Sequence, residues 1–172
     1  QVDLPLACFI PDDYISDTAL RMRIYRRIAE CKDEAECAAL EEELRDRFGD
    51  PGLPVRNLFF VQRVKLACRA AGVIQISYIP AQMKLSLVFG GAKPRPWLQK
   101  LMMLDSRVKI IAGGGMRQST ASGQTFSESA ATSSTASLPP GEHIAARIPH
   151  DDRFRDEVSD ILERVTRLSG GE

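Results

Sequence analysis

Between Glu36 and Arg47 the chain sets carboxylates (Glu36, Glu41, Glu42, Glu43, Asp46) among the guanidinium groups of Arg45 and Arg47. At about 100° per residue on a helix, Glu36, Glu43, Asp46 and Arg47 fall on one flank, and the small Ala39 keeps that flank low. Two kinds of chemistry suit such a flank. One is a solvated face laced by a Glu43 to Arg47 pair at i,i+4, worth a few tenths of a kcal/mol. The other is a charged docking patch that presents both signs in a fixed order to a complementary surface.

Other reactive residue types lack the companions their chemistry needs. Asp12 and Asp13 are adjacent carboxylates that could hold a cation or do acid–base work, but no further ligand spacing surrounds them and Pro11-Asp12-Asp13 reads as a turn. Cys8, Cys31, Cys37 and Cys68 form no close pair, and His143 and His150 lie far along the chain. A zinc site needs such pairs, so buried thiols with no disulfide and no metal are expected. Gly90-Gly91-Ala92-Lys93 resembles part of a phosphate loop, but the first glycine spacing and the following Ser or Thr are absent and Pro94 interrupts it. Arg21, Arg23, Arg26 and Arg27 would point in different directions on a helix, so local charge balance suits them better than phosphate contact. Without a Ser/His/Asp, Cys/His or metal constellation, no catalytic residue and no cofactor is expected.

Composition agrees. The formal net charge of 0 disfavours strong independent DNA binding, which needs a clustered basic excess. No apolar run approaches the roughly 20 residues that cross a bilayer, and there is no signal-like start, so a cytoplasmic setting is expected. A start at Gln1 suggests a piece of something longer, of a size to form one domain with a real core.

The elements that would position the charged flank follow from periodicity and punctuation. Val2, Leu4, Leu6, Cys8 and Ile10 alternate as a half-buried strand, placed at an edge by Pro5. Asp17 caps a first helix carrying Leu20, Ile24 and Ile28, and a short link near Glu30 to Lys32 predicts an antiparallel hairpin with the second helix. That helix starts at Asp33 with Glu36 in the capping-box place, buries Cys37, Leu40, Leu44 and Phe48, and stops at Gly49 in a left-handed conformation. A third helix, from about Pro54 to Ala71, is apolar around most of its circumference, with Gln62, Lys65 and Arg69 as a narrow polar stripe; it is expected at the centre of the fold.

Beyond Gly72 the period changes to two, predicting a hairpin of Ile74 to Tyr78 and Met83 to Phe89 across Pro80-Ala81-Gln82. A short helix from Pro96, with Met102 and Met103 as core filler, precedes a strand at Val108 to Ile111. Residues 113 to 142, rich in Ser, Thr, Ala and Gly, have too few large apolar groups to offset ordering entropy and read as a flexible low-complexity loop within a single domain, 1–172. Ile144 to Ile148 returns as the last strand, beside the Val108 to Ile111 strand. The final helix, with Phe154, Val158, Ile161, Val165 and Leu168, docks on the domain's own core rather than forming a coiled coil. The fold class is α+β: three helices first, then a small, mostly antiparallel sheet with a C-terminal helix.

Ile10-Pro11-Asp12-Asp13-Tyr14-Ile15 with Asp17, Leu20 to Ala29, Glu43-Leu44-Arg45-Asp46-Arg47-Phe48-Gly49 and Leu53-Pro54 together resemble the C-terminal domain of bacterial transcription-repair coupling factors (Mfd). The likeness runs in order from about Val2 to Gly72 and more weakly thereafter. It implies a non-catalytic regulatory module of an ATP-dependent DNA translocase that removes stalled RNA polymerase and recruits the excision-repair protein UvrA. In that family the domain folds back on an N-terminal, UvrB-like module of the same protein and masks its UvrA-binding surface. The resemblance carries that contact to Glu43, Asp46 and Arg47. It also makes residues 113 to 142 an insertion, since the family has a short turn there. The other function considered is an accessory nucleic-acid or RNA-polymerase-contacting module.

Overall fold

A computed structural model describes residues 1–91, 93–111 and 143–169, without the side chains of Arg95 and Ile111; the expected loop at 113 to 142 lies outside these residues. Helix α1 (Thr18–Glu30) starts where Asp17 Oδ1 accepts from the amides of Ala19 and Leu20 at 2.8 and 3.2 Å. Helix α2 (Glu34–Phe48) is capped by Asp33, which accepts from the Glu36 amide at 2.8 Å. The Glu36 carboxylate reaches back to the Lys32 amide (2.8 Å) instead of the Asp33 amide that a capping box would use. Gly49 ends α2 with φ 85° and ψ −173°. Its φ is positive as expected, but its ψ is extended, so the stop is a glycine-specific bend and not a left-handed helical residue.

Helix α3 (Leu53–Ala71) has Pro54 in its first turn and ends at Gly72, which is left-handed at φ 71° and ψ 23°. It forms a wall common to two apolar clusters. Val55 and Phe59 join Ile10, Ile24, Ile28, Cys37, Leu40 and Leu44, whereas Phe60, Val64, Cys68 and Ala71 join the sheet side. The backbones of α1 and α2 approach α3 at more positions than they approach each other, so the expected hairpin is better described as two helices leaning on a third. Gln62, expected on the exposed stripe, is buried: its amide donates to Ala29 O at 3.3 Å and Cys31 O at 2.9 Å, satisfying carbonyls at the end of α1.

The sheet holds β1 (Val2–Asp3), β2 (Val73–Ile79), β3 (Lys84–Phe89), β4 (Val108–Ile111) and β5 (His143–Arg147) in the order β1-β2-β3-β5-β4. All neighbours are antiparallel except β1 with β2. Ile76, Tyr78, Leu85, Leu87, Phe89, Ile144, Ala146 and Val108 enter the sheet-side core with the helices, among them α4 (Arg95–Leu104) and α5 (Phe154–Ser169). Phe154, Val158, Ile161, Leu162 and Val165 seat α5 in that core. The fold is therefore α+β, with its helical first half joined to a mostly antiparallel sheet.

Two local expectations are corrected. The strand expected over Val2 to Ile10 is only two residues long. After Pro5 the chain turns, with Leu6 N bonded to Leu4 O at 2.8 Å, and its backbone groups then go to side chains: Asn57 Nδ2 donates to Ala7 O (3.0 Å) and Ile10 N donates to the Tyr25 hydroxyl (2.6 Å). Cys8 thus lies in irregular chain, partly exposed, whereas Cys31, Cys37 and Cys68 are buried. Met102, Met103 and Leu104 are exposed, Met103 at 88%, so the core of α4 is Leu98 and Leu101 without the methionine filler.

Candidate docking surface

Leu44, fully buried, fixes the rotation of α2 against α3 and turns Glu43 and Arg47 outward on successive turns. Arg47 Nη1 donates to Glu43 Oε1 at 3.0 Å, which is the i,i+4 pair expected of this flank. Glu43 also meets a residue of α1: Arg27 Nη1 donates to Oε1 at 2.9 Å and Nη2 to Oε2 at 2.6 Å, a two-pronged pair. The Arg27 guanidinium first, and Arg47 after it, hold the Glu43 carboxyl well below the usual carboxylate range, at about 2. The same bond raises the Arg27 pKa above its ordinary value.

The Arg47 guanidinium lies 5.1 Å from the Phe48 ring centroid, and Phe48 meets Tyr14 edge-on at 6.0 Å. The Tyr14 hydroxyl shares its proton between Gly49 O at 2.9 Å and Leu44 O at 3.2 Å. It therefore ties the Ile10-Pro11-Asp12-Asp13-Tyr14-Ile15 stretch to the last turn of α2, and burial pushes its pKa up. Asp46 is exposed one position before Arg47. The three site residues expected from the sequence thus share the outer end of α2, with Glu43 and Arg47 in direct contact. Beside Glu43 a concavity of about 450 Å³ is bounded by Arg27 and Cys31 on one side and by Glu36, Ala39 and Leu40 on the other.

Arg27 is the member that sequence reasoning missed. Its contact with Glu43 spans sixteen residues and crosses between helices, so no i,i+3 or i,i+4 rule within one helix reveals it.

Elsewhere the reactive residue types have structural partners. Asp12 pairs with Arg21 at 2.8 Å, Arg21 also donates to Ile15 O at 2.6 Å, and the Tyr14 and Ile15 amides both bond Pro11 O, so the two carboxylates sit in a turn. Lys93 Nζ lies 3.3 Å from Ala71 O and 5.2 Å from the ring centroids of both Phe89 and Trp97, tying the end of α3 to the strand and helix beyond it. Burial pushes the Cys37 thiol up to about 12 and the Cys68 thiol up to about 11, which keeps both protonated and weakly nucleophilic. Among the described residues no group of three or more His, Cys, Asp or Glu side chains is placed to hold a metal, and no helix is long and apolar enough to cross a membrane. The outer end of α2 thus presents charges of both signs beside an aromatic pair.

Known proteins resemble this chain in sequence and in fold. The family model of the TRCF domain matches residues 4–94. The transcription-repair-coupling factor of Mycobacterium tuberculosis (strain CDC 1551 / Oshkosh) is 39% identical over 77 residues, covering 45% of this chain and 6% of that protein. Those of Rickettsia prowazekii (strain Madrid E) and Escherichia coli (strain K12) are 40% identical over 68 residues and 36% over 73, covering 40% and 42% of this chain. Each match likewise spans only 6% of the relative's length. A crystal structure of the C-terminal domain of transcription-repair coupling factor superposes with a TM-score of 0.71, covering 98% of this chain and 92% of that one at 17% identity. At that identity the likeness shows the fold.

Proposed function

The chain belongs to the TRCF domain family, and from that premise we propose that it is a non-catalytic regulatory domain of a DNA translocase that couples transcription to nucleotide excision repair. In this reading the outer end of α2 docks on the N-terminal, UvrB-like module of the same parent protein and masks the surface that recruits UvrA. Contacts with UvrA and RNA polymerase are then made through the parent, in the cytoplasm, where these proteins meet chromosomal DNA. ATP hydrolysis belongs to other parts of the parent.

The observation that carries the reading is the fixed order of charge at Glu43, Asp46 and Arg47. An exposed flank that served only solubility would gain little from Tyr14 and Phe48 bracing its last turn. The neutral balance of the chain supports a protein partner over a phosphate backbone.

Arg47→Glu tests the assignment. It replaces attraction by repulsion across the interface, which costs about 2 kcal/mol where the pair is desolvated, or roughly 25-fold in the ratio of closed to open parent. The fold should survive, because Arg27 still holds both Glu43 oxygens and what changes is exposed: a weak i,i+4 pair becomes a weak like-charge pair and the Phe48 ring loses its cation. Capture of purified UvrA by the full-length parent should rise while the domain's thermal midpoint stays nearly constant. Unchanged capture with an intact fold would remove Arg47 from the docking surface.

A further inference from the structure

The flank that carries Glu43, Asp46 and Arg47 is built by two helices. Glu43 accepts two N–H groups from Arg27 and one from Arg47, so three of its roughly four acceptor sites are already filled. A carboxylate so occupied keeps about one acceptor site for an incoming donor. What it does is hold two guanidinium groups, one from α1 and one from α2, at a fixed separation.

We propose that Arg27 is a positioning residue of the docking surface, fixing Glu43 and through it Arg47, so that α1 sets the geometry of the charges that α2 presents. This rests on the reading of the α2 flank as a docking surface. The two helices have few backbone approaches of their own, and the Arg27 to Glu43 pair closes the gap between them over the concavity floored by Ala39 and Leu40. Without Arg27, the Glu43 side chain recovers its rotamers, and Arg47 keeps its weak i,i+4 contact with a now mobile Glu43 and its place 5.1 Å from the Phe48 ring. The order of charge would then have to be assembled at the moment of docking, which weakens association without altering any atom that touches the partner. The planar fork matters as well, because an ammonium in its place offers a point charge and no matching geometry for two oxygens.

The test uses the full-length parent and purified UvrA, with thermal unfolding of every variant. Arg27→Gln should raise UvrA capture roughly threefold or more, with a thermal midpoint within a few degrees of the unaltered protein. Arg27→Lys should restore only part of the masking. In the Arg47→Glu background, Arg27→Gln should add less than it does alone, because both changes act on one surface. If Arg47→Glu raises capture and Arg27→Gln does not, the positioning role falls while the docking reading stands. If neither raises capture in a folded protein, the docking reading falls and takes this inference with it. Full restoration by Arg27→Lys, or a rise that is additive and tracks a lowered thermal midpoint, would reduce Arg27 to a plain charge or a packing residue and overturn the proposal.

Discussion

Glu43 carries its charge between two guanidinium groups, and this sets how the domain responds to acid. Its carboxyl titrates at about 2 in the folded chain, below the roughly 4.3 of an unperturbed glutamate. A depressed folded value means that the pairs contribute stability above about pH 4.3 and lose it as the pH falls from there toward 2. With 34% of the side chain exposed, solvent screening keeps that contribution small. Carboxyl titration by NMR should place Glu43 below unperturbed glutamates, and Glu43→Gln should flatten the part of the acid limb that lies in this window. A Glu43 midpoint near 4.3 would mean that the Arg27 pair does not persist in solution. The Glu43 to Arg47 pair was legible from spacing within one helix. The Arg27 grip and the burial of Gln62 were not, since each depends on which residue of another helix stands opposite. Polar residue type pointed Gln62 outward, whereas the unpaired carbonyls at the end of α1 drew it in.

At the level of elements, local chemistry made most boundaries readable. Asp17 and Asp33 cap α1 and α2, and Gly72 ends α3, because each satisfies backbone groups within a few residues. Where partners are distant, periodicity misled. Alternation over Val2 to Ile10 had the right form for a strand, but Pro5 and the competing donors and acceptors of Asn57 and Tyr25 take the chain away from the sheet. Gly49 shows the limit of reading a conformation from residue type alone. Glycine announced a positive φ, and only the structure shows the extended ψ that re-aims the chain from α2 into α3. A Cβ at Gly49 would meet nothing within 4 Å, so the cost of Gly49→Ala is one of backbone conformation, about 1–3 kcal/mol. Denaturant unfolding should show that loss, and an unchanged midpoint would mean that the bend relaxes freely.

For the molecule as a whole, the pairing of Ile111 with His143 brings together the two ends of the segment that sequence composition marks as low-complexity. We propose that the segment is an insertion whose length the fold tolerates. Replacing residues 119 to 137 with a short Gly/Ser link should leave the thermal midpoint nearly unchanged, because closure entropy varies only slowly with loop length. A large drop would show that the segment packs on the core. The α+β class was legible because the change of period after Gly72 divides the chain, and so was the pairing of β5 with β4, whereas the place of β5 against β3 was not, since it depends on how the returning strand meets the earlier hairpin. The central place of α3 was readable from its nearly continuous apolar surface, and the structure adds that Phe59 and Phe60, neighbours in sequence, serve opposite cores. Such a shared wall leaves the molecule no tear line. If α1 and α2 melted away by themselves, Phe59 and Val55 would be stripped bare while Phe60 and Val64 stayed clamped, so half-open forms carry the cost of exposing one face of α3. If α2 holds a partner as proposed, release is then expected to come by the domain swinging off whole, because the grip has no cheap way to dissolve in place.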